Sequence, residues 1–182
     1  FYLDKGDFQK SINYYDKAII LSPRNFNNFY NKGRAMTSAN KIDEAINCYQ
    51  QAISIEPENK LAHFNLGFVF NLTKNFDKAI DQYDTAIKID GNYSEAFFNR
   101  GVTYSNKLNH QRAINDFSAA IKIKFNERFV FKRAREYEEI GKFSEALDDY
   151  SLIINSESSI DNKSTAFCRR GDLQNQMNNH KK

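Results

Sequence analysis

The sequence contains no tryptophan, only two prolines and two cysteines, and no apolar run long enough to cross a membrane. A transmembrane helix needs roughly 18 or more mostly apolar residues in succession. Cys48 and Cys168 are far apart, so we expect reduced thiols and no disulfide framework. No segment resembles a signal peptide. These absences favour an intracellular, cytoplasmic protein.

Residues that could carry catalysis or hold a metal are also scarce. The histidines His63, His110 and His180 lack the close spacing of a metal site, so we expect them to be structural or exposed. The serines occur in no nucleophile-elbow motif, and Asp148 and Asp149 are helix neighbours that point in different directions. The sequence therefore predicts no enzyme activity, no cofactor, no metal site and no small-molecule substrate.

Glycine recurs at a fixed interval, because Gly33, Gly67 and Gly101 follow one another at spacings of 34 residues. A period of this size indicates stacked supersecondary units. Glycine inside a helix costs roughly 1 kcal/mol relative to alanine. We therefore infer that these glycines lie at close helix crossings, where packing offsets the cost. Further predicted positions are a crossing at Gly171 and hairpin turns at Gly6 and Gly141.

Other residues keep the same distance from each glycine. Alanine follows twelve residues later, an aromatic residue four after that, and a second alanine three further on. These residues are Ala45, Ala79 and Ala113; Tyr49, Tyr83 and Phe117; and Ala52, Ala86 and Ala120. The pattern resembles the tetratricopeptide repeat. It departs from that family at Phe29, His63 and Phe97, where Trp is favoured, and at Lys32 and Arg100, where Leu is favoured.

The resemblance implies an all-α fold, a right-handed superhelical solenoid of antiparallel helix hairpins. Ala134 takes the glycine position of a further repeat, and residues 155–164 are predicted to form a long loop after it. The predicted divisions are 1–25 for the second helix of a partial first repeat, 26–59, 60–93, 94–126 and 127–160 for whole repeats, and 164–182 for the first helix of a partial sixth. Because both ends are half-repeats, we expect an excerpt of a larger array.

A binding groove is predicted on the first helices. Asn31, Asn65 and Asn99 each stand two residues before a glycine, and a side-chain amide can both donate and accept a hydrogen bond. This resembles the asparagine ladders with which tetratricopeptide superhelices hold extended polypeptides. The alternative is that asparagine occurs there only because the sequence is rich in it.

Aromatic and basic residues surround the predicted ladder. Phe64, Phe68 and Phe98 could hold apolar side chains of a ligand, or they could pack between helices. Further along, the predicted groove becomes basic, which would favour acidic residues of a ligand. Its basic residues are Arg128, Lys132, Arg135 and Arg169.

The sequence thus predicts a non-catalytic scaffold that binds another protein, within a multi-protein complex and without a membrane. An architectural role in a cytoskeletal or ciliary assembly is the main alternative. Asn99, Arg128 and Lys132 also match three of the five positions of the carboxylate clamp of tetratricopeptide co-chaperones, but Phe64 and Phe68 replace the other two. Single-stranded RNA is the remaining alternative, although a formal charge of only +3 argues against it.

Overall fold

The computed structural model describes residues 8–179, and ten α-helices and no strand occur in this range. The chain divides into two compact units, Phe1–Gly91 and Asn92–Lys182. The predicted turn at Gly6 and the residue His180 lie outside the described residues. Over the described range, the predicted all-α fold of repeated helix hairpins is confirmed.

The first unit begins with the single helix α1 (Phe8–Leu21). Two hairpins follow it, each made of a first and a second helix that pack against each other. Their helices are α2 (Phe26–Ser38) and α3 (Ile42–Ile55), then α4 (Lys60–Leu72) and α5 (Phe76–Ile89).

The second unit contains two hairpins followed by a single long helix. The hairpins are α6 (Ser94–Asn106) with α7 (His110–Ile123), and α8 (Glu127–Glu139) with α9 (Phe143–Asn155). The last helix is α10 (Ile160–Asn179), which packs against α9.

Part of the abundant asparagine serves to start these helices. The side chains of Asn25, Asn59 and Asn126 each accept a hydrogen bond from a backbone N–H in the first turn of α2, α4 and α8, at 2.9, 3.1 and 2.9 Å. The first N–H groups of a helix have no partner within it, and asparagine is among the best residues to supply one. These asparagines therefore mark the start of three of the four hairpins.

The residues that repeat with the glycines form the core of each hairpin. They are almost fully buried, with 0–1% of their surface exposed. The aromatic members are Tyr49, Tyr83, Phe117 and Tyr150, and the alanines at the first position are Ala45, Ala79, Ala113 and Ala146. An aromatic ring and small neighbours at this spacing let two helices interdigitate closely.

The same rings explain the repeated glycine. A Cβ atom at Gly33, Gly67 or Gly101 would lie 2.8–2.9 Å from the ring of the aromatic residue in the second helix of the same hairpin. That distance is shorter than van der Waals contact. The missing side chain therefore mainly makes room for a buried ring, whereas the sequence suggested an approach of two backbones.

Each hairpin turn contains one residue in the left-handed backbone region. These residues are Asn40 (φ 57°), Lys74 (φ 59°), Leu108 (φ 58°) and Gly141 (φ 72°). The predicted turn at Gly141 is thus confirmed. Glycine adopts this conformation freely, whereas a residue with a Cβ is strained in it.

One prediction near the last helix was wrong. Residues 155–164 do not form a long loop, because α10 begins at Ile160 and the hydroxyl of Ser159 accepts a hydrogen bond from the backbone N–H of Asn162 (3.3 Å). The irregular spacing is taken up by an additional helical turn before Gly171. At Gly171 no described atom would come within 4 Å of an added Cβ, so the crossing expected there stays a prediction.

Candidate functional site

The predicted asparagines lie on the first helices of their hairpins, which follow one another within each unit. Each unit has its own first-helix face, formed by α2 and α4 in the first unit and by α6, α8 and α10 in the second. In the first unit, Asn65 on α4 donates from Nδ2 to the Tyr30 hydroxyl on α2 (3.1 Å) and to the Leu61 carbonyl (2.8 Å). Both amide hydrogens are therefore used, and the side-chain oxygen accepts no hydrogen bond from any described residue.

The other two asparagines have more unused hydrogen-bonding groups. Asn99 donates from Nδ2 to the Glu95 carbonyl at 2.8 Å, which leaves one amide hydrogen and the oxygen. The Asn31 side chain makes no hydrogen bond within residues 8–179. The three amides are therefore not equivalent, although they occupy the same position in the repeat.

The predicted aromatic residues differ in accessibility. Phe64 is half-buried and packs at an angle against Tyr83, with ring centroids 5.8 Å apart, and Phe68 is also half-buried. Phe98 is only 1% exposed, because two rings enclose it. The ring of Phe129 stacks on it with the centroids 4.5 Å apart, and the ring of Phe117 packs at an angle with the centroids 5.5 Å apart. As the helices stand, Phe98 is a core residue and offers no surface to a ligand.

Three of the four predicted basic residues lie together. Arg128, Lys132 and Arg135 on α8 line a recess of about 350 Å³, together with Asn126, Glu127, Phe131 and Asn162. We call it the basic recess. The guanidinium of Arg128 stacks on the Phe98 ring with its Cζ 4.4 Å from the centroid. No described carboxylate forms an ion pair with these three cations, so their charges remain available.

The fourth predicted basic residue, Arg169 on α10, does not line the recess, but it acts on the same tyrosine as Arg135. The Tyr150 hydroxyl donates to the carboxylate of Glu138. Burial raises the pKa of Tyr150 and the contact with Glu138 raises it further, while the charges of Arg169 and Arg135 act in the opposite direction. Arg135 and Arg169 are therefore both close enough to Tyr150 to influence its ionisation.

Two ion pairs inside the hairpins were missed by the sequence analysis. Arg100 contacts Asp116 through Nε and Nη2 at 2.8 and 2.6 Å, and Arg133 contacts Asp149 in the same way at 2.9 and 2.6 Å. In each pair, a basic residue directly before the glycine position meets an acidic residue 16 positions later. That spacing is the signal that could have identified them.

The two described histidines make contacts within the protein. His63 is buried, with Nε2 donating to the Pro57 carbonyl at 2.9 Å and Nδ1 2.8 Å from the side-chain amide of Gln82. His110 begins α7, and its Nδ1 lies 2.8 Å from Oε2 of the buried Glu136 on α8. The other oxygen of Glu136 accepts a hydrogen bond from the Ser105 hydroxyl at 2.6 Å. These contacts join two consecutive hairpins.

The described part of the chain contains neither a metal-binding cluster nor a membrane-spanning helix. No group of three or more His, Cys, Asp or Glu side chains within residues 8–179 is arranged to hold a metal ion. None of the described helices combines the length and apolar composition that a membrane span requires.

Known structures share this arrangement of helices. MamA is 24% identical, with a TM-score of 0.76 over 81% of this chain and 87% of that chain. YrrB, described as a TPR protein with an unusual peptide-binding site, is 17% identical, with a TM-score of 0.74 over 91% of this chain and 84% of YrrB. A tetratricopeptide repeat protein from Parabacteroides merdae is 22% identical, with a TM-score of 0.79 over 97% of this chain and 70% of that protein. At these identities the likeness concerns the fold.

Sequence profiles agree with the structural likeness. No curated protein matches the sequence. A profile described as TPR repeat, however, matches residues 33–74 and 70–107. A second profile, described as tetratricopeptide repeat, matches residues 1–25 and 94–127. Together the profiles cover more than half of the chain, and the core residues of the hairpins occupy the positions of the repeat pattern. The chain therefore belongs to the tetratricopeptide repeat family.

Proposed function

We propose that the chain is a non-catalytic scaffold and that the first-helix face of its second unit binds a segment of a partner protein. The observation that carries this proposal is the basic recess. Three cations without a carboxylate partner surround the half-buried ring of Phe131 in a space of about 350 Å³. Retaining several like charges around one cavity has an electrostatic cost that an anionic ligand would offset.

The recess suits a short acidic segment that also carries an apolar residue. Carboxylates of the ligand would meet Lys132, Arg135 and Arg128, and an apolar side chain would pack on Phe131. Arg128 is already held in place by its stacking on Phe98, so little of its conformational freedom would be lost on binding. Arg169 would extend the basic surface along α10.

Asparagine amides would hold the main chain of the ligand. Asn99 can both donate to and accept from a peptide unit, because its oxygen and one amide hydrogen are unused. Asn65 can only accept, because Tyr30 and Leu61 take both of its hydrogens. Each contact should contribute about 0.5–1.5 kcal/mol. We expect Asn99→Ala to weaken binding at the face of the second unit, and Asn65→Ala to have a smaller effect on any segment bound at the face of the first.

The predicted aromatic residues contribute less to binding than the sequence suggested. Phe64 and Phe68 keep partly exposed rings on α4 and could cover apolar side chains of a partner. Phe98 has no such role in this proposal, because its ring is enclosed by Phe117 and Phe129.

The test begins by capturing partners with the whole 182-residue chain and identifying them by mass spectrometry. Calorimetry then compares the variant Arg128→Gln/Lys132→Gln with the control Lys122→Gln/Lys124→Gln, which removes two exposed charges from α7 and the segment after it. We expect the first variant to weaken binding by at least about tenfold, the value of one charge-assisted hydrogen bond. Equal affinities of the two variants would place the binding surface elsewhere.

Two further measurements distinguish the remaining alternatives. If an acidic peptide binds equally well with a free and with an amidated C-terminus, the carboxylate clamp is excluded. Single-stranded RNA would bind with an affinity that falls steeply as salt is added. The absence of RNA binding at low salt would exclude a nucleic-acid function.

A further inference from the structure

A second recess, of about 320 Å³, lies where the turn between α6 and α7 meets the C-terminal half of α8. We call it the turn recess. Lys132 and Arg135 line both the turn recess and the basic recess, so the two spaces share a wall on α8. The other residues of the turn recess that matter for binding are Asn106, Leu108, His110 and Glu139.

Leu108 is an unfavourable residue for its place in the turn recess. Its backbone is left-handed (φ 58°), which strains a bulky side chain, and 76% of its surface is exposed. The same turn position holds Asn40, Lys74 and Gly141 in the other hairpins. Asparagine and glycine tolerate this conformation and lysine suits an exposed position, whereas leucine does neither. Backbone strain of this kind occurs preferentially at sites that bind a ligand.

A buried carboxylate fixes the wall of the turn recess. Glu136 on α8 accepts a hydrogen bond from the Ser105 hydroxyl (2.6 Å), and its other oxygen lies 2.8 Å from Nδ1 of His110. These contacts join the α6–α7 hairpin to α8, so they hold Leu108 in a set position relative to Lys132 and Arg135. A ligand that contacts all three side chains therefore meets a surface that is already ordered.

We propose that the segment bound in the basic recess continues across α8 into the turn recess, where one of its apolar side chains packs on Leu108. This inference rests on the proposed function, because one segment then occupies both recesses. Its acidic residues meet Lys132 and Arg135 on the shared wall, and apolar residues on either side of them pack on Phe131 and on Leu108. The partner segment is therefore extended, acidic in its centre and apolar on both sides.

Glu139 limits where the acidic residues of the segment can lie. Its carboxylate lines the turn recess but not the basic recess. A further acidic residue of the ligand beside Leu108 would be repelled by this charge. The end of the segment that reaches the turn recess is therefore uncharged, which distinguishes this ligand from a uniformly acidic one.

The probes are fluorescent peptides that are titrated with the full 182-residue chain and followed by anisotropy. The first peptide has two aspartates in its centre and one leucine near each end, joined by glycines. In two further peptides, serine replaces the leucine at one end or at the other. The two serine versions cover both directions in which the segment can cross α8.

We expect the peptide with two leucines to bind about fivefold more tightly than either serine version, because each leucine is partly buried on binding. Leu108→Asn should weaken binding of the two-leucine peptide about fivefold and should leave one serine version unaffected. Asn40 shows that the turn accepts asparagine. The matched control is Leu152→Asn, which should have no effect because Leu152 is 42% exposed on α9 and lines neither recess.

Two charge variants test the same arrangement. Arg128 lines only the basic recess, so Arg128→Gln should weaken binding of all three peptides about tenfold. A fourth peptide, with aspartate in place of both leucines, should bind more weakly than the first. Glu139→Gln should strengthen binding of this fourth peptide about threefold and should not strengthen binding of the two-leucine peptide.

Three results would overturn the inference. If Leu108→Asn and Leu152→Asn behave alike while Arg128→Gln weakens binding, the turn recess is not used and the proposed function stands. If binding depends on Leu108 and not on Arg128, no segment joins the two recesses. If no peptide binds at about 1 mM protein, the range of very weak complexes, both proposals fail. The comparison of peptides uses the wild-type chain, so it remains decisive even if a variant folds poorly.

Discussion

Arg133 and Asp149 form a two-point ion pair inside one hairpin, with Nη2–Oδ1 at 2.6 Å and Nε–Oδ2 at 2.9 Å. Asp149 is buried, and Arg133 has 18% of its side chain exposed. Removing the Asp149 carboxylate leaves the Arg133 charge unpaired where little water reaches it. We expect Asp149→Ala to lower the free energy of unfolding by about 2–4 kcal/mol, measured by urea denaturation.

The control for this prediction comes from another hairpin of the chain. Leu66 and Gln82 occupy the equivalent positions in α4 and α5. The double variant Arg133→Leu/Asp149→Gln should therefore recover most of the stability that Asp149→Ala loses. A double variant as unstable as the single one would show that the charges stabilise the hairpin more than an apolar replacement can.

Gly67 and Gly171 provide a matched pair for the role of the repeated glycine. A Cβ at Gly67 would lie 2.9 Å from the Tyr83 ring, whereas no described atom would lie within 4 Å of a Cβ at Gly171. Gly67→Leu should cost roughly 1–3 kcal/mol or more through overpacking. Gly171→Leu should stabilise the helix by up to about 1 kcal/mol through better propensity. Thermal unfolding distinguishes the two, and a similar effect at both sites would contradict the packing explanation.

Replacing Leu108 by glycine should stabilise the protein. Its backbone is left-handed (φ 58°) and its side chain is 76% exposed, so little packing is lost when the side chain is removed. Leu108→Gly should raise the free energy of unfolding by about 0.5–1 kcal/mol. Gly141→Ala, at φ 72°, should lower it by a similar amount. Denaturation midpoints of both variants check the prediction, and a destabilised Leu108→Gly variant would refute it.

Tyr49 should make the protein sensitive to alkali. Burial raises the pKa of Tyr49 from 10.0 to about 12. The unfolded chain therefore loses this proton at lower pH than the folded chain. Stability should be complete below pH 10 and should fall by about 2–3 kcal/mol as the pH rises to 12. Tyr49→Phe should remove most of this loss, because Phe117 shows that the position accepts phenylalanine. The exposed Tyr14→Phe serves as the control in pH-dependent denaturation.

Much of the fold could be predicted because one spacing recurs. The aromatic residue 16 positions after the glycine has to fill the space that the glycine leaves, so a single match fixes the register of two helices. The start of α10 was missed because the serines before Ile160 resemble a loop by composition. They act partly as helix caps, and a capping residue cannot be told from a loop residue by composition alone.

The accessibility of a predicted site residue was harder to predict than its position. Tyr30 and Phe98 occupy the same position in their repeats, yet Tyr30 is half-buried and Phe98 is enclosed. The difference arises in the following hairpin, where Ala62 packs near Tyr30 and the larger Phe129 covers Phe98. Exposure therefore depends on a neighbour some 30 residues away, which the local pattern of one repeat does not contain.

The contact of His110 and Ser105 with Glu136 means that the repeats of this protein are not interchangeable building blocks. The carboxylate belongs to one hairpin, and both of its partners belong to the hairpin before it. If α8 and α9 were transplanted behind a hairpin with an apolar residue at the position of His110, such as Ile42, Glu136 would be buried without a histidine beside it. A hairpin moved to such a place should therefore be less stable than it is behind α6 and α7.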